Sequence, residues 1–189
     1  MPRPPMLPTI DWRKVFESGK EYAEWIAIAE NKDHAAAMEE MRKSQHLEPC
    51  VVAALRALPR PVHAIAIAED WCGDVVRHVP VLRRMAEEAA NVRVRFITRE
   101  QYPEVFARFL TNGGEAIPKF VFLNDRFVEC GNWGPMPLDC RELISRGKAC
   151  GDVAAARAKV SALYAADADR QMVVGELMRL IEIASATTP

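Results

Sequence analysis

The chain has 189 residues with 25 basic against 26 acidic side chains, a length that suits one compact domain with some decoration. A net charge of -1 and a pI near 6.4 exclude the broad basic footprint of a nucleic-acid binder, and 50% hydrophobic residues exclude a disordered chain. No apolar run approaches the ~20 residues of a membrane span, and the proline-broken start MPRPPMLPTIDW lacks the apolar stretch of a signal peptide, so a soluble cytoplasmic protein is expected.

Tyr22, Trp25, Ile26 and Ala29 recur at helical spacing after Ser18-Gly19. The Ala-, Glu- and Met-rich stretch from Asp33 to Gln45 predicts a second helix. Pro49 to Leu58, opened by a first-turn proline and stopped by Pro59, predicts a third. The character changes at Pro59-Arg60-Pro61. Val62 to Ala68 is short, rich in β-branched residues and bounded by turn signals, which reads as a buried strand. From Asp74 to Ala90, Val75, Val79, Leu82, Met85 and Ala86 keep helical spacing around an internal Pro80 expected to kink the helix. Val92 to Thr98 alternates as a strand, and Pro103 to Leu110 reads as a helix ended by Asn112-Gly113-Gly114. Lys119 to Leu123 and Arg126 to Cys130 read as a hairpin across a tight Asn124-Asp125 turn. Pro137 to Arg146 reads as a helix ending at Gly147. The tail supplies two more, Asp152 to Tyr164 and the stripe Val173, Leu177, Leu180, Ile181 and Ala184.

Residues 60–148 therefore read β-α-β-α-β-β-α. A βαβ unit demands parallel strands and the hairpin adds an antiparallel one, giving an α/β fold with a mixed sheet covered by helices. Residues 1–59 and 149–189 read as helical extensions of that core, within one compact domain.

Trp71-Cys72-Gly73-Asp74 stands where the first strand hands over to its helix, the usual place for a site in an α/β sheet. Cys72 is thereby expected at a helix N-terminus, where unpaired N–H groups and the macrodipole favour thiolate over thiol. A buried, gap-filling cysteine under Trp71 is the plainer alternative. Cys50, Cys130, Cys140 and Cys150 include no C-x-x-C pair, and the last three read as structural, with Cys130 nearest the sheet end that carries the site. His78 reads as a solvated surface partner of Asp74, and four scattered histidines without ligand spacing give no metal site. Trp133 reads either as a groove edge or as core.

The segment AIAEDWCGDVVRHVPVLRRMAEE resembles the active-site stretch of thioredoxins: a strand, Trp-Cys-Gly, then a helix with Pro80 eight residues past the cysteine. Ala116-Ile117-Pro118 before KFVFL is similar to the family's Ile-Pro element, and the strand from Phe127 to Gly131 to its last strand with a groove-lining glycine. EDWCGD, TNGG-x-x-IP and GNWGP further resemble a bacterial branch with extra helices at both ends. The resemblance implies a thioredoxin-like three-layer sandwich, a cis Pro118, and a substrate groove at Ile117, Pro118 and Gly131. Cys72 would be the nucleophile, supported by Trp71, which would shield it, and by Gly73 and Asp74.

Two departures stand out. The family's second cysteine falls on Val75, and its buried carboxylate, six residues before the first cysteine, falls on Ala66. The implied activity is thiol–disulfide exchange through one cysteine with protein or small-molecule disulfides, in which glutathione would be the external thiol and Cys130 a conceivable internal one. No resident cofactor is implied, since the chain has no Gly-Gly-x-x-Asp motif after the hairpin and an iron–sulfur site is disfavoured. The rival expectation is a partner-binding module on the same fold that has lost turnover. The terminal helices are an expected place for self-association.

Overall fold

The computed structural model describes residues 7, 9–111 and 113–188, so most of the proline-rich start and Asn112 of the expected helix stop lie outside it. Its four-stranded sheet has the order β2-β1-β3-β4. Central β1 (Val62–Ile67) lies parallel to β2 (Val92–Ile97) and antiparallel to β3 (Lys119–Leu123), which pairs antiparallel with β4 (Glu129–Trp133). Every residue of β1 and β3 is buried, as expected of strands covered on both faces.

Ladder partners share a face, so Ala66, Phe96 and Phe120 point together into one layer. Helices α5 (Gly73–Glu88) and α9 (Gln171–Ser185) pack there. Trp133 stacks on Phe120 at 5.2 Å and meets His78 of α5 edge-on. Helix α2 (Tyr22–Ala27) adds Trp25, stacked on Phe96 at 4.7 Å, and α3 (Lys32–Ser44) lies along α5 with Met38 fully buried. The opposite face receives α1 (Trp12–Ser18), whose Phe16 meets the edge of His63. Trp12 of the same helix lies 6.1 Å from Phe109 in the turn that follows α6 (Pro103–Phe106). Helix α4 (Pro49–Arg56) packs on α5.

Several expectations are corrected. Helix α1 is missing from the sequence reading because its seven residues carry Trp12, Val15 and Phe16 over too few turns to show periodicity. The 103–110 segment is one α turn followed by a 3₁₀ turn at Ala107–Phe109. The final strand begins at Glu129, not Arg126. Asn124 takes the amides of Arg126 and Val128 on its side chain, Phe127 adopts φ 61°, and the result is a wider loop with an irregular register at Phe122/Leu123. Helix α7 (Leu138–Cys150) runs through Gly147, where a Cβ would stand 2.4 Å from that of Ala156 on α8 (Val153–Ala166). That glycine permits a close helix crossing, and Gly151, at φ 78°, ends the helix.

His78 is not solvated. It is fully buried, with Nε2 3.3 Å from the Tyr164 hydroxyl and Nδ1 without a hydrogen-bond partner. Burial, then the charges of Arg77 and Arg170, pushes its pKa down to about 3 from 6.5. The unfolded chain binds this proton in the window between those values and the folded chain does not, so stability falls as pH drops below about 6.5. Urea unfolding between pH 6.5 and 5 is expected to lose stability with a slope that His78→Leu reduces by up to about 1.4 kcal/mol per pH unit, one proton's share.

Candidate functional site

The loop Glu69–Cys72 joins β1 to α5 and is fastened from two sides. Arg99, just past β2, brings Nη2 to 2.8 Å and Nε to 3.2 Å from Glu69 Oε2, with Nε also 3.0 Å from Oε1, and its own amide donates to Oε1 at 3.1 Å. Asp70 accepts the Asn31 amide at 2.7 Å, and its carbonyl lies 2.7 Å from Nδ1 of His34 in the first turn of α3. These five residues carry no motif of their own. The nearest sequence signals were the acidic pair before Trp71 and the Asn31 cap of α3.

Held this way, Cys72 becomes the N-cap of α5. No side chain caps the helix, so the first-turn N–H groups that a capping oxygen would occupy are left to whatever sits at Cys72. Cys72 is half-buried, and its Sγ lies 3.5 Å from the carbonyl oxygen of Ile117. The Ile117–Pro118 bond is cis, as is Gly134–Pro135. Gly73 is exposed, and nothing lies within 4 Å of where its Cβ would be. Trp71 is 56% exposed, and the Arg99 guanidinium sits 5.3 Å from its ring centre. Asp74, half-buried in the first turn, has its carboxyl pKa raised by burial, with Arg77 opposing.

Ile117, Pro118 and Cys72 are thus brought together, but Gly131 stands apart. It pairs with Phe122 in mid-strand, and its missing Cβ makes room for Leu180 of α9. Gly134 is the glycine against the Pro118 loop: at φ 116° its Cβ would fall 2.1 Å from the Pro118 carbonyl oxygen. Lys119 Nζ donates to the Gly134 carbonyl at 2.7 Å in a buried position, and burial lowers its pKa to about 8. The Gly-Pro pair after Trp133 was the readable sign of this second turn. Trp133 itself is core, 2% exposed, with Nε1 donating to Glu176.

Cys130 lies near the Leu123 end of β3, four residues along β4 from Gly134, which is roughly 13 Å of strand. That position sets it away from the Pro118 end of the site, against the conceivable role of internal resolving thiol and in line with the structural reading. Cys140 is buried, whereas Cys50 and Cys150 are exposed. Val75, at the second-cysteine position, and Ala66, at the carboxylate position, are both fully buried in the core. Among the described residues no three His, Cys, Asp or Glu side chains are grouped to hold a metal, and no helix is long and apolar enough to cross a membrane.

Residues 19–159 match the model of a family described as thioredoxin. The chain belongs to the thioredoxin family. Among solved structures, this thioredoxin-family chain is similar to a Pseudomonas aeruginosa protein of unknown function, with a TM-score of 0.71 at 17% identity over 92% of this chain and 98% of that one. An HIV epitope scaffold gives a TM-score of 0.67 at 15% identity over the same shares. At such identities the likeness is one of fold. No curated protein matches the chain.

Gly131 and Gly134 both adopt positive φ, but only Gly134 also meets backbone of the Pro118 loop. Gly134→Ala is expected to cost about 3 kcal/mol or more in urea unfolding, because the clash is with backbone and φ is positive. Gly131→Ala should cost about 1–3 kcal/mol, because φ 158° strains any side chain even where the Leu180 methyl can swing aside.

Proposed function

We propose that this thioredoxin-family chain is a thiol redox protein working through the single nucleophile Cys72. One observation supports the reading above the rest: a half-buried sulfur at an uncapped helix N-terminus, 3.5 Å from the Ile117 carbonyl at the cis-Pro118 loop, with open space over Gly73. The Cys72 thiolate attacks one sulfur of a partner disulfide. A new S–S bond forms to Cys72, the partner's S–S bond breaks, and the expelled thiolate takes a proton from water. The Ile117 backbone, whose carbonyl faces Cys72, would hold an extended partner by strand-like pairing. With valine at position 75, release falls to an external thiol such as glutathione, which a reducing cytoplasm supplies, or to the partner's own freed thiol. Asp74 and Trp71 border the reacting sulfur without themselves reacting.

A second reading has its own support. Val75 and Ala66 fill their positions as core, so neither the second thiol nor the relay carboxylate of the family is replaced in place, which suits a groove that binds partners without turnover.

Non-reducing gels and peptide mapping decide between them. Incubated with oxidised glutathione or a protein disulfide, the wild type is expected to accumulate a Cys72 adduct that Cys72→Ser lacks, and added reduced glutathione should discharge it. Iodoacetamide should label Cys72 about tenfold faster than buried Cys140 at neutral pH. Failure of Cys72 to form an adduct with any disulfide would overturn the redox reading in favour of the binding module.

A further inference from the structure

Apart from the contact between Cys72 and Ile117, the two halves of the site are joined through one side chain. Arg99 leaves the end of β2 between the loop that carries Cys72 and the loop that carries Pro118. Its Nε and Nη2 donate to Glu69 of the first loop at 3.0 and 2.8 Å, and its Nη1 donates to Glu115 of the second at 3.1 Å. The same guanidinium stands over the Trp71 ring. Among the described residues no other hydrogen bond or ion pair links residues 69–72 to residues 113–118. The two arms differ in kind. The Glu69 side chain is 12% exposed and meets two nitrogens of the fork, a fixed and largely dry contact, whereas Glu115 is 65% exposed and meets one. Gly134 and Lys119 hold the Pro118 end of the second loop from behind. Upstream, the bonds between Thr111 and Gly114 and from the Ala116 amide to the Gly114 carbonyl are internal to the loop and do not fix its distance from Cys72.

We infer that Arg99 is a positioning residue for the exchange reaction: by holding both loops on one planar group, it sets the gap between the Cys72 sulfur and the Ile117 backbone. This rests on the redox reading of the site. The residue type fits the task. A guanidinium presents one edge to Glu69 and a further N–H to Glu115 in a fixed plane, which the single ammonium of a lysine cannot do. Only Ala116 separates Glu115 from Ile117, at most roughly 7 Å of chain, so a shift at the carboxylate passes to the backbone that faces Cys72. An extended partner makes two demands on that gap. Its backbone pairs at Ile117 while its sulfur comes into line with Cys72, and a misplacement of about 1 Å can cost on the order of 100-fold in rate. A small disulfide makes only the second demand. Arg99 itself touches no reacting atom and acts through the width of the groove.

The test compares two disulfides: 2,2′-dithiodipyridine, and an uncharged cysteine pentapeptide activated as its 2-thiopyridyl disulfide. In each the Cys72 thiolate attacks one sulfur, and a new disulfide to Cys72 forms as the old S–S bond breaks. The expelled sulfur, protonated by water as 2-thiopyridone, is read by absorbance. Rates measured on Cys72→Ser are subtracted, because Cys50 and Cys150 are exposed thiols too. Glu115→Ala is expected to lower the peptide-to-small-disulfide rate ratio about fivefold with an unchanged urea midpoint, since an exposed carboxylate adds little stability. Arg99→Lys should lower the ratio likewise, and Glu115→Asp, which keeps the charge, should stay within about twofold of the wild type. An unchanged ratio in Glu115→Ala, an equal loss on both disulfides, or as large a loss in Glu115→Asp would overturn the inference. If wild-type Cys72 reacts with neither disulfide, the redox reading fails, and Arg99 is then judged by equilibrium binding of the unactivated peptide, with serine for cysteine, to Cys72→Ser. Weaker binding in Cys72→Ser/Glu115→Ala supports the positioning role, and equal binding overturns it.

Discussion

Arg99 grips Glu69 through both its Nε and Nη2 atoms and through its own backbone amide, while Asp70 takes the amide of Asn31, the N-cap of α3, and His34 the carbonyl behind it. Between them these contacts fix two consecutive residues of a loop that has only Trp71 left before the candidate nucleophile. A connection between strand and helix would otherwise be free to fray, since its backbone donors are not all met within either element. Because the clamp reaches to β2 on one side and to α3 on the other, the angle at which α5 leaves the sheet is set by the same residues that place Cys72. The accumulated hydrogen bonds to ionised side chains are also the stronger kind, each worth about 1.5–3 kcal/mol where solvent is partly excluded.

The partner half of the site depends on a different constraint. Gly134 lies so close to the Pro118 carbonyl that no side chain fits between them, and Lys119 ties the Gly134 carbonyl down from the buried side. The loop at Ile117 is thereby pressed toward α5, which is why its carbonyl reaches Cys72. A buried ammonium is a costly way to hold a carbonyl, and its lowered pKa records that cost.

The C-terminal helices belong to this arrangement as well. Tyr164 of α8 lies against His78 and under the Arg77 guanidinium at 4.2 Å, and Glu176 of α9 accepts from both the Trp133 indole and the Leu138 amide. The second turn of α5, the end of β4 and the start of α7 are therefore bound into one layer by residues from beyond position 149. The helical tail braces the helix whose N-terminus carries Cys72.

The order of strands and helices was legible in the sequence because each element carries its own signal: an unbroken apolar run for β1 and β3, a long 3.6-residue stripe for α5, and a proline or glycine at most ends. Trp71-Cys72-Gly73 and Ile117-Pro118 could be picked out for the same reason, as short contiguous strings with a chemical meaning. Tertiary structure alone decided what depends on residues distant in sequence. His78 sits on a helix face that the tail buries, so its neighbours 86 residues away determine whether it is a surface group or a core one. The strand register places Gly134 rather than Gly131 at Pro118 and moves Cys130 to the far end, because a loop that absorbs three extra residues shifts β4 along β3. The clamp of Glu69 and Asp70 likewise exists only once β2 and α3 arrive, since a carboxylate's partner is set by space and not by spacing along the chain.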